Sequence, residues 1–289
     1  MTIIQALILG IIQGATEFIP ISSSGHLTLV PWLLGWTFEG ETMQAVKAAF
    51  DVVTHWGTLV AVVAVFWRDL WGIFLGGLRT LGGVADGGVQ GVIARAKGDW
   101  QGRLAWLIVL GSVPAAVLGL LLEDFFESLF GAPRIVSLLL VVTAGLLAFS
   151  EWRGSKGREM KALTWLDALW IGLGQALAIA PGISRSGATM ASALMRGVKR
   201  AAAARFSFLL STPVIVGAGL WQLKDLFSIS GWTDSLGALV VGFVVSALTG
   251  YVCIRFLLRY LRQGKLYVFA IYCALAGVAC FILSFVLYA

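Results

Sequence analysis

The stretch that decides the fold reads Gln13-Gly-Ala-Thr-Glu-Phe-Ile-Pro-Ile-Ser-Ser-Ser-Gly-His26, and a related stretch, Gln175-Ala-Leu-Ala-Ile-Ala-Pro-Gly-Ile-Ser-Arg-Ser-Gly187, follows 162 residues later. The two copies share a glutamine and an Ile-Ser-x-Ser-Gly run at equal spacing. Each is a cluster of serine and glycine inside otherwise apolar sequence. Interruptions at matching positions of two halves are the best sequence pointer to a binding site in a repeat-built membrane protein. We therefore expect the site where the two copies meet.

The composition of the chain indicates a membrane protein. Hydrophobic residues make up 59% and charged residues 12%, whereas soluble domains carry about 25% charge. Six apolar runs are long enough to cross a bilayer, and they lack the alternation of barrel strands, so we predict helices. The runs are 50–67, 104–122, 135–150, 203–221, 235–258 and 266–288. The basic residues that give the net charge of +6 lie beside these runs. This placement indicates a solvated rim against membrane lipids and no nucleic-acid partner.

The distribution of lysine and arginine predicts the topology. These residues concentrate in four stretches, namely 68–103, 151–163 (which includes Lys156), 196–205 and 255–265. Basic loops stay in the cytoplasm. Residues 164–198 begin and end beside basic groups, so they should enter from the cytoplasm and return there. Residues 2–35 should enter from outside and return outside, because the next span must run inward.

We therefore predict an all-α polytopic membrane protein with an inverted-topology repeat, about six full transmembrane helices and two re-entrant helix pairs. The whole chain, 1–289, forms a single integral membrane domain. Repeat one covers about residues 1–122 with the re-entrant pair 2–35. Repeat two covers about residues 134–289 with the re-entrant pair 164–198. Irregular backbone at membrane depth must be buried in protein or line a wet cavity, so the motif turns should form a polar pocket.

An alternative for the first motif is one ordinary span of the signal-anchor kind over residues 3–35. Pro20, Gly25, Pro31 and three consecutive serines argue against it, because proline and glycine break helices. The segment 76–103 is interpreted as a cytoplasmic loop with room for a short surface helix.

The serine and glycine residues of both motifs precede apolar runs, which is typical of helix N-caps. Free backbone N–H groups and the positive end of each helix dipole would then face the pocket, as phosphate requires. The residues expected to bind phosphate in this way are Ser22, Ser24, Gly25, Ser184, Ser186 and Gly187. Arg185 adds a cation whose fork matches phosphate oxygens. An arginine between apolar helices marks a functional site by default.

Glu17 is the acidic residue of the first motif, and Gln13 lies four residues before it on the same helix face. Glu17 could hold a divalent metal, act as a base or pair with the motif arginine, and the sequence leaves these options open. His26 can serve as general base, general acid or orienting partner of a hydroxyl. His55 and Asp51, at i,i+4 on the next span, could form a second polar pair.

Both motifs closely resemble those of the undecaprenyl-diphosphate phosphatase family of the bacitracin-resistance type. The matching stretches are 13–26 and 180–189, and the likeness continues through 202–210 and spans essentially the whole chain. The resemblance implies a hydrolase of the bacterial inner membrane that removes the terminal phosphate of undecaprenyl diphosphate. Its product is the lipid carrier for peptidoglycan synthesis, and the activity confers bacitracin resistance.

The resemblance also implies roles for single residues. Ser23 corresponds to the nucleophile, His26 to the catalytic histidine and Thr189 to a threonine of the phosphate site. A divalent cation, Mg²⁺ or Ca²⁺, would lie near Glu17 and Gln13, although a glutamine in place of a second glutamate lowers the charge available to it. The pocket is expected to open to the periplasmic side.

Three alternatives stay open from the sequence. Water activated by His26 or Glu17 could attack the phosphorus directly, in place of Ser23. The same paired re-entrant helices would also suit a transporter or flippase of a polyprenyl phosphate lipid. Whether the chain forms a homodimer is likewise left open.

Overall fold

The computed structural model describes residues 1–38, 40–154, 157–226 and 235–287; Lys156 of the second basic stretch and Tyr288 at the end of the last predicted span lie outside them. The described residues form α-helices throughout, joined by short turns and one 3₁₀ turn. The helices are α1 (Ile3–Thr16), α2 (Ser23–Leu33), α3 (Glu41–Leu81), α4 (Val84–Gly98), α5 (Trp100–Leu121), α6 (Glu123–Phe130), α7 (Pro133–Arg153), α8 (Trp165–Leu177), α9 (Arg185–Met195), α10 (Arg200–Leu226), α11 (Leu236–Tyr260) and α12 (Tyr267–Val286).

Six of the described helices are long and apolar enough to span a membrane. They lie at Met43–Leu81, Trp100–Leu121, Pro133–Arg153, Arg200–Trp221, Leu236–Tyr260 and Tyr267–Val286. Each coincides with one of the six predicted runs, so the prediction of an all-α polytopic membrane protein is confirmed.

The interpretation of residues 76–103 as a loop with a short surface helix is only partly correct: the short, mostly exposed helix is α4, but the rest of the segment is not a loop. Helix α3 continues past a kink at Phe66 to Leu81, and α4 and the start of α5 fill most of the remainder. The glycines of this segment allow close helix packing, which a loop assignment ignores. A Cβ atom on Gly76 would lie 2.5 Å from the backbone nitrogen of Gly102 on α5, so only glycine permits this contact between helices.

Each motif region forms a pair of short helices, α1–α2 and α8–α9. At 14 residues, α1 is about 21 Å long, short of the roughly 30 Å of a bilayer core. The alternative of one continuous span over 3–35 is wrong, because α1 ends at Thr16 and α2 starts at Ser23. Pro31, however, lies inside α2 and does not end it. The membrane boundaries of both pairs and of the two repeats stay predictions.

Glycines on the first helix of each pair bring that helix against a spanning helix. A Cβ on Gly14 of α1 would lie 2.6 Å from the backbone oxygen of Ser246 on α11. A Cβ on Gly172 of α8 would lie 2.5 Å from the backbone oxygen of Gly111 on α5. Small residues allow helix backbones to approach closely in membranes. The two pairs are therefore fixed against the spanning helices by equivalent packing.

Asp167 joins both ends of the second pair. Its buried carboxylate accepts hydrogen bonds from Arg158 before α8, at 2.6 Å, and from Arg196 after α9, at 2.7 Å. Burial raises the pKa of this carboxyl, but the hydrogen bonds from Arg158, Arg196 and Thr164 outweigh burial and hold the pKa below its ordinary value. The pair is thus closed by an ionised carboxylate at the end opposite to its motif turn.

Candidate active site

The turns of the two helix pairs touch each other through their serines and glycines. Ser22 caps α2 by accepting a hydrogen bond from the backbone N–H of Gly25 at 3.2 Å. Ser184 caps α9 by accepting one from Gly187 at 3.0 Å. A Cβ on Gly25 would lie 3.3 Å from the Cα of Gly182 in the other turn. The predicted N-caps are confirmed, and both helix N-termini converge on one place.

Hydrogen bonds from neighbouring helices hold the second turn in place. Thr143 of α7 donates to the backbone oxygen of Gly182 and accepts from the backbone N–H of Ser184, both at 3.0 Å. The hydroxyl of Thr189 lies 2.6 Å from that of Ser207 on α10. No local sequence signal marks Thr143, because its partners lie about forty residues away in the chain.

The remaining serines of the expected phosphate cluster are bound to neighbouring groups. The hydroxyl of Ser24 lies 3.3 Å from that of Ser22, and the hydroxyl of Ser186 lies 3.2 Å from that of Ser184. Ser186 also donates to the backbone oxygen of Ile19, in the turn of the first pair, at 3.4 Å. The cluster therefore consists of one pair of hydroxyl groups in each turn, and the bond from Ser186 to Ile19 joins the two turns.

Glu17 is the centre of the site. Its side chain is only 4% exposed and forms an ion pair with Arg185 through one carboxylate oxygen, Oε1. The other oxygen, Oε2, accepts a hydrogen bond from the hydroxyl of Ser23 at 2.5 Å and one from the side-chain amide of Gln13 at 3.2 Å. Of the roles that the sequence left open for Glu17, pairing with Arg185 is the one observed, and the predicted contact with Gln13 is present.

Two polar atoms beside Glu17 are buried without a hydrogen-bond partner in the described part of the chain. They are Nη1 of Arg185 and Oε1 of Gln13. Buried polar groups are nearly always satisfied in folded proteins, so an unsatisfied donor and an unsatisfied acceptor at one place indicate a ligand site. A guanidinium N–H suits a phosphate oxygen, and an amide oxygen suits a cation.

His26 lies on α2, one turn after Ser23, and both of its ring nitrogens have partners. Nδ1 is 2.7 Å from the backbone oxygen of Ser22, and Nε2 is 2.7 Å from the hydroxyl of Tyr272 on α12. The hydroxyl of Ser23 is instead bonded to Glu17. Glu17 is therefore the group in position to accept the proton of Ser23, and the catalytic role of His26 stays a prediction.

His55 of α3 also reaches the site, which the sequence did not indicate. Its Nε2 lies 3.7 Å from Oε2 of Glu17, and its Nδ1 bonds the backbone oxygen of Asp51 at 2.7 Å. The predicted His55–Asp51 pair thus forms through the backbone, because the carboxylate of Asp51 pairs with Lys47 at 2.6 Å. An i,i+4 spacing predicts contact within α3 but gives no information about a residue on α1.

The repeat is not symmetric in its chemistry. A shift of 162 residues places Ile179 opposite Glu17, and Arg185 opposite Ser23. Gln175, opposite Gln13, donates to the backbone oxygen of Gly111 at 3.4 Å, away from the carboxylate. The first repeat supplies the acid and the hydroxyl, and the second supplies the cation.

The residues at the site fit only one kind of metal site. No group of three or more His, Cys, Asp or Glu side chains in the described ranges is arranged to hold a metal ion. Glu17 contributes one carboxylate, and Gln13 contributes an unsatisfied amide oxygen. Mg²⁺ is often bound through one or two carboxylates together with substrate phosphates. The donor set therefore fits a cation that arrives with a diphosphate and does not fit a cage built by the protein alone.

Comparisons with a family profile and with known proteins all indicate the same family. The profile of the bacitracin resistance protein BacA family matches residues 6–279. The undecaprenyl-diphosphatase of Pelotomaculum thermopropionicum is 42% identical over 284 residues, which cover 98% of this chain and 97% of that protein. The undecaprenyl-diphosphatase of Methanosphaera stadtmanae is 41% identical over 287 residues, which cover 99% of this chain and 100% of that protein. The chain therefore belongs to the bacitracin resistance protein BacA family.

Proposed function

We infer that this chain is an undecaprenyl-diphosphatase, a membrane phosphatase that hydrolyses undecaprenyl diphosphate to undecaprenyl phosphate and inorganic phosphate. The observation that carries the inference is the contact of Glu17, Ser23 and Arg185 where the two motif turns meet. A hydroxyl, a proton acceptor and a cation are the parts that phosphoryl transfer needs. The reaction recycles the lipid carrier of peptidoglycan synthesis, and its family links it to bacitracin resistance.

Binding of the diphosphate uses the arginine and the helix N-termini. Nη1 of Arg185 is the unsatisfied donor. The N-termini of α2 and α9, where the N–H groups of Gly25 and Gly187 are bonded to the capping serines, direct their helix dipoles to the same place. Such N-termini bind phosphate through N–H groups and through the helix dipole. Arg185 then shares its guanidinium between Glu17 and the terminal phosphate, which orients that phosphate beside Ser23.

Nucleophilic attack begins at the hydroxyl of Ser23. As its oxygen bonds to the terminal phosphorus, its proton passes to Oε2 of Glu17, 2.5 Å away. The bond between that phosphorus and the bridging oxygen breaks, and undecaprenyl phosphate leaves with the electron pair. Water then attacks the phosphorus of the phosphoserine, and the bond between that phosphorus and the oxygen of Ser23 breaks. Ser23 takes back the proton held by Glu17, and inorganic phosphate leaves with the oxygen and protons of the water. Attack by water activated through Glu17 or His26 is the competing mechanism.

A divalent cation, Mg²⁺ or Ca²⁺, would be held by Glu17, by the amide oxygen of Gln13 and by the phosphates of the substrate. When bound, it supplies positive charge that neutralises the charge developing on the phosphate oxygens. The residues of the chain supply the remaining functions: Glu17 accepts the proton, Arg185 orients the phosphate, and the turns bind its oxygens.

Phosphate release by the purified protein tests the activity and its cation. We expect release from undecaprenyl diphosphate with Mg²⁺ or Ca²⁺ and its loss with EDTA, because Arg185 is already paired with Glu17 and leaves most of the negative charge of the diphosphate unneutralised. Release that is unchanged by EDTA would contradict the cation. No release by folded protein, together with movement of the lipid across a vesicle membrane, would favour the transporter.

The orientation is part of the proposal: the protein lies in the bacterial inner membrane and its pocket opens to the periplasm. Labelling of intact spheroplasts with a membrane-impermeant maleimide tests the sides on which the loops lie, with the unsubstituted protein as control for its own cysteines. We expect Gly131→Cys, between α6 and α7, to be labelled, and Gly157→Cys, in a basic stretch, to be protected, because basic loops stay inside. The reverse pattern would overturn the orientation. Formation of a homodimer stays a prediction, and a measurement of the mass in detergent tests it.

A further inference from the structure

The last described helix contributes a side chain to the first motif. Tyr272 of α12 lies 246 positions from His26, and its hydroxyl is 2.7 Å from Nε2 of that histidine. The two rings are nearly parallel, with 10° between their planes and 5.7 Å between their centroids. The neighbouring thiol of Cys273 lies 3.8 Å from the backbone oxygen of Pro20. Helix α12 therefore contacts the first motif through Tyr272 and Cys273.

The partners of His26 determine where its proton lies. A backbone carbonyl can only accept, so Nδ1, at 2.7 Å from the oxygen of Ser22, carries the hydrogen. Nε2 of the neutral ring is then the basic nitrogen, and it accepts the O–H of Tyr272. Nε2 is consequently the nitrogen that can take up or release a proton in the reaction.

We propose that Tyr272 is a positioning residue for His26, which holds the basic Nε2 in one place throughout the catalytic cycle. The proposal rests on the proposed function and on the predicted proton-transfer role of His26 in that reaction. A phenol hydroxyl both donates and accepts. It donates to Nε2 while the imidazole is neutral and accepts from Nε2–H once the ring has taken a proton. The ring of His26 therefore keeps its partner, and its position, in both protonation states.

The placement of Tyr272 suits this role. Tyr272 is 44% exposed, so it is not part of the buried protein core. A phenylalanine at this position would keep the ring contact and remove only the hydroxyl. Loss of function in that variant would then report the hydrogen bond to Nε2.

Nitrogen NMR of the histidines tests the contact directly. The chain has two histidines, so ¹⁵N-histidine labelling gives two sets of ring signals, and a His55→Gln variant assigns them. In Tyr272→Phe we expect the Nε2 signal of His26 to move towards that of an acceptor nitrogen without a partner, while the signals of His55 stay. An unchanged Nε2 signal of His26 would overturn the proposal.

Kinetics of the same variant test the consequence. We expect Tyr272→Phe to lower kcat about tenfold, a part of what general acid–base catalysis contributes, with little change in KM. The control is Tyr267→Phe, which removes a hydroxyl from the same helix and should keep wild-type kcat. A wild-type kcat in Tyr272→Phe, or a rise in KM alone, would overturn the positioning role. Inactive wild-type protein would instead count against the proposed reaction. A fully active His26→Ala variant would count against the role of His26. In both cases the NMR result would still test the contact between Tyr272 and His26.

Discussion

Replacement of Arg185 by alanine should lower phosphate release from undecaprenyl diphosphate by about a thousandfold or more, in the range found when an arginine that stabilises a transferring phosphoryl group is removed. Arg185 is the side chain of the second repeat that contacts Glu17, and one of its N–H groups is buried and unsatisfied. Its loss removes the cation that orients the phosphate and leaves a buried carboxylate without its ion-pair partner.

Arg185→Lys and Arg68→Ala provide the comparison for this variant. Lysine keeps the charge but lacks the planar fork, so it should restore only part of the activity. Arg68 is exposed on α3, just after the kink at Phe66, and its replacement should leave the activity unchanged. An Arg185→Ala protein with near wild-type activity would contradict the site.

A loss of stability must be separated from a loss of chemistry in this experiment. Removing one partner of a buried ion pair costs about 3–5 kcal/mol, so Arg185→Ala should also unfold at a lower temperature in detergent. The double variant Glu17→Gln/Arg185→Ala removes both charges and should recover most of that stability while staying inactive. Activity is therefore compared at a temperature where every variant is folded.

Replacement of Ser23 by alanine should abolish turnover almost as completely, because it removes the oxygen that attacks phosphorus. Glu17 remains in place but then has no serine proton to accept. Phosphate release measures the effect, and mass spectrometry of acid-quenched wild-type reactions should show phosphate on Ser23. The matched control is Ser128→Ala on α6, whose hydroxyl is bonded to the backbone oxygen of Phe125, far from the motif in sequence.

The outcome against a serine nucleophile is equally specific. If Ser23→Ala keeps most of the activity while His26→Ala and Arg185→Ala lose it, water is the nucleophile. The base that activates that water would then be His26 or Glu17, which accepts a hydrogen bond from Ser23 in the resting site. The binding part of the mechanism would stand in either case.

Local patterns explain which parts of the fold and site were predictable. The N-caps at Ser22 and Ser184 and the contact of Gln13 with Glu17 follow from spacings of three or four residues, which the backbone geometry of a helix fixes. The six spans follow from the lengths of apolar runs. All of these features depend on residues that are neighbours in the chain.

Contacts between distant helices were not predictable in the same way. His55, Thr143 and Tyr272 reach the motifs from three different spanning helices. In a membrane the outer and inner faces of a helix are both apolar, so the sequence lacks the contrast that reveals which face packs inward. The close approach of α3 to α5 at Gly76 was missed for another reason, because glycine was interpreted as a loop signal.

The unequal division of chemistry between the two motifs has a consequence for substitutions at matching positions. The first motif holds Glu17 and Ser23, and the matching positions of the second hold Ile179 and Arg185. Neither motif holds a full set, so matching positions should not tolerate the same replacements. The site works only as the combination of both turns.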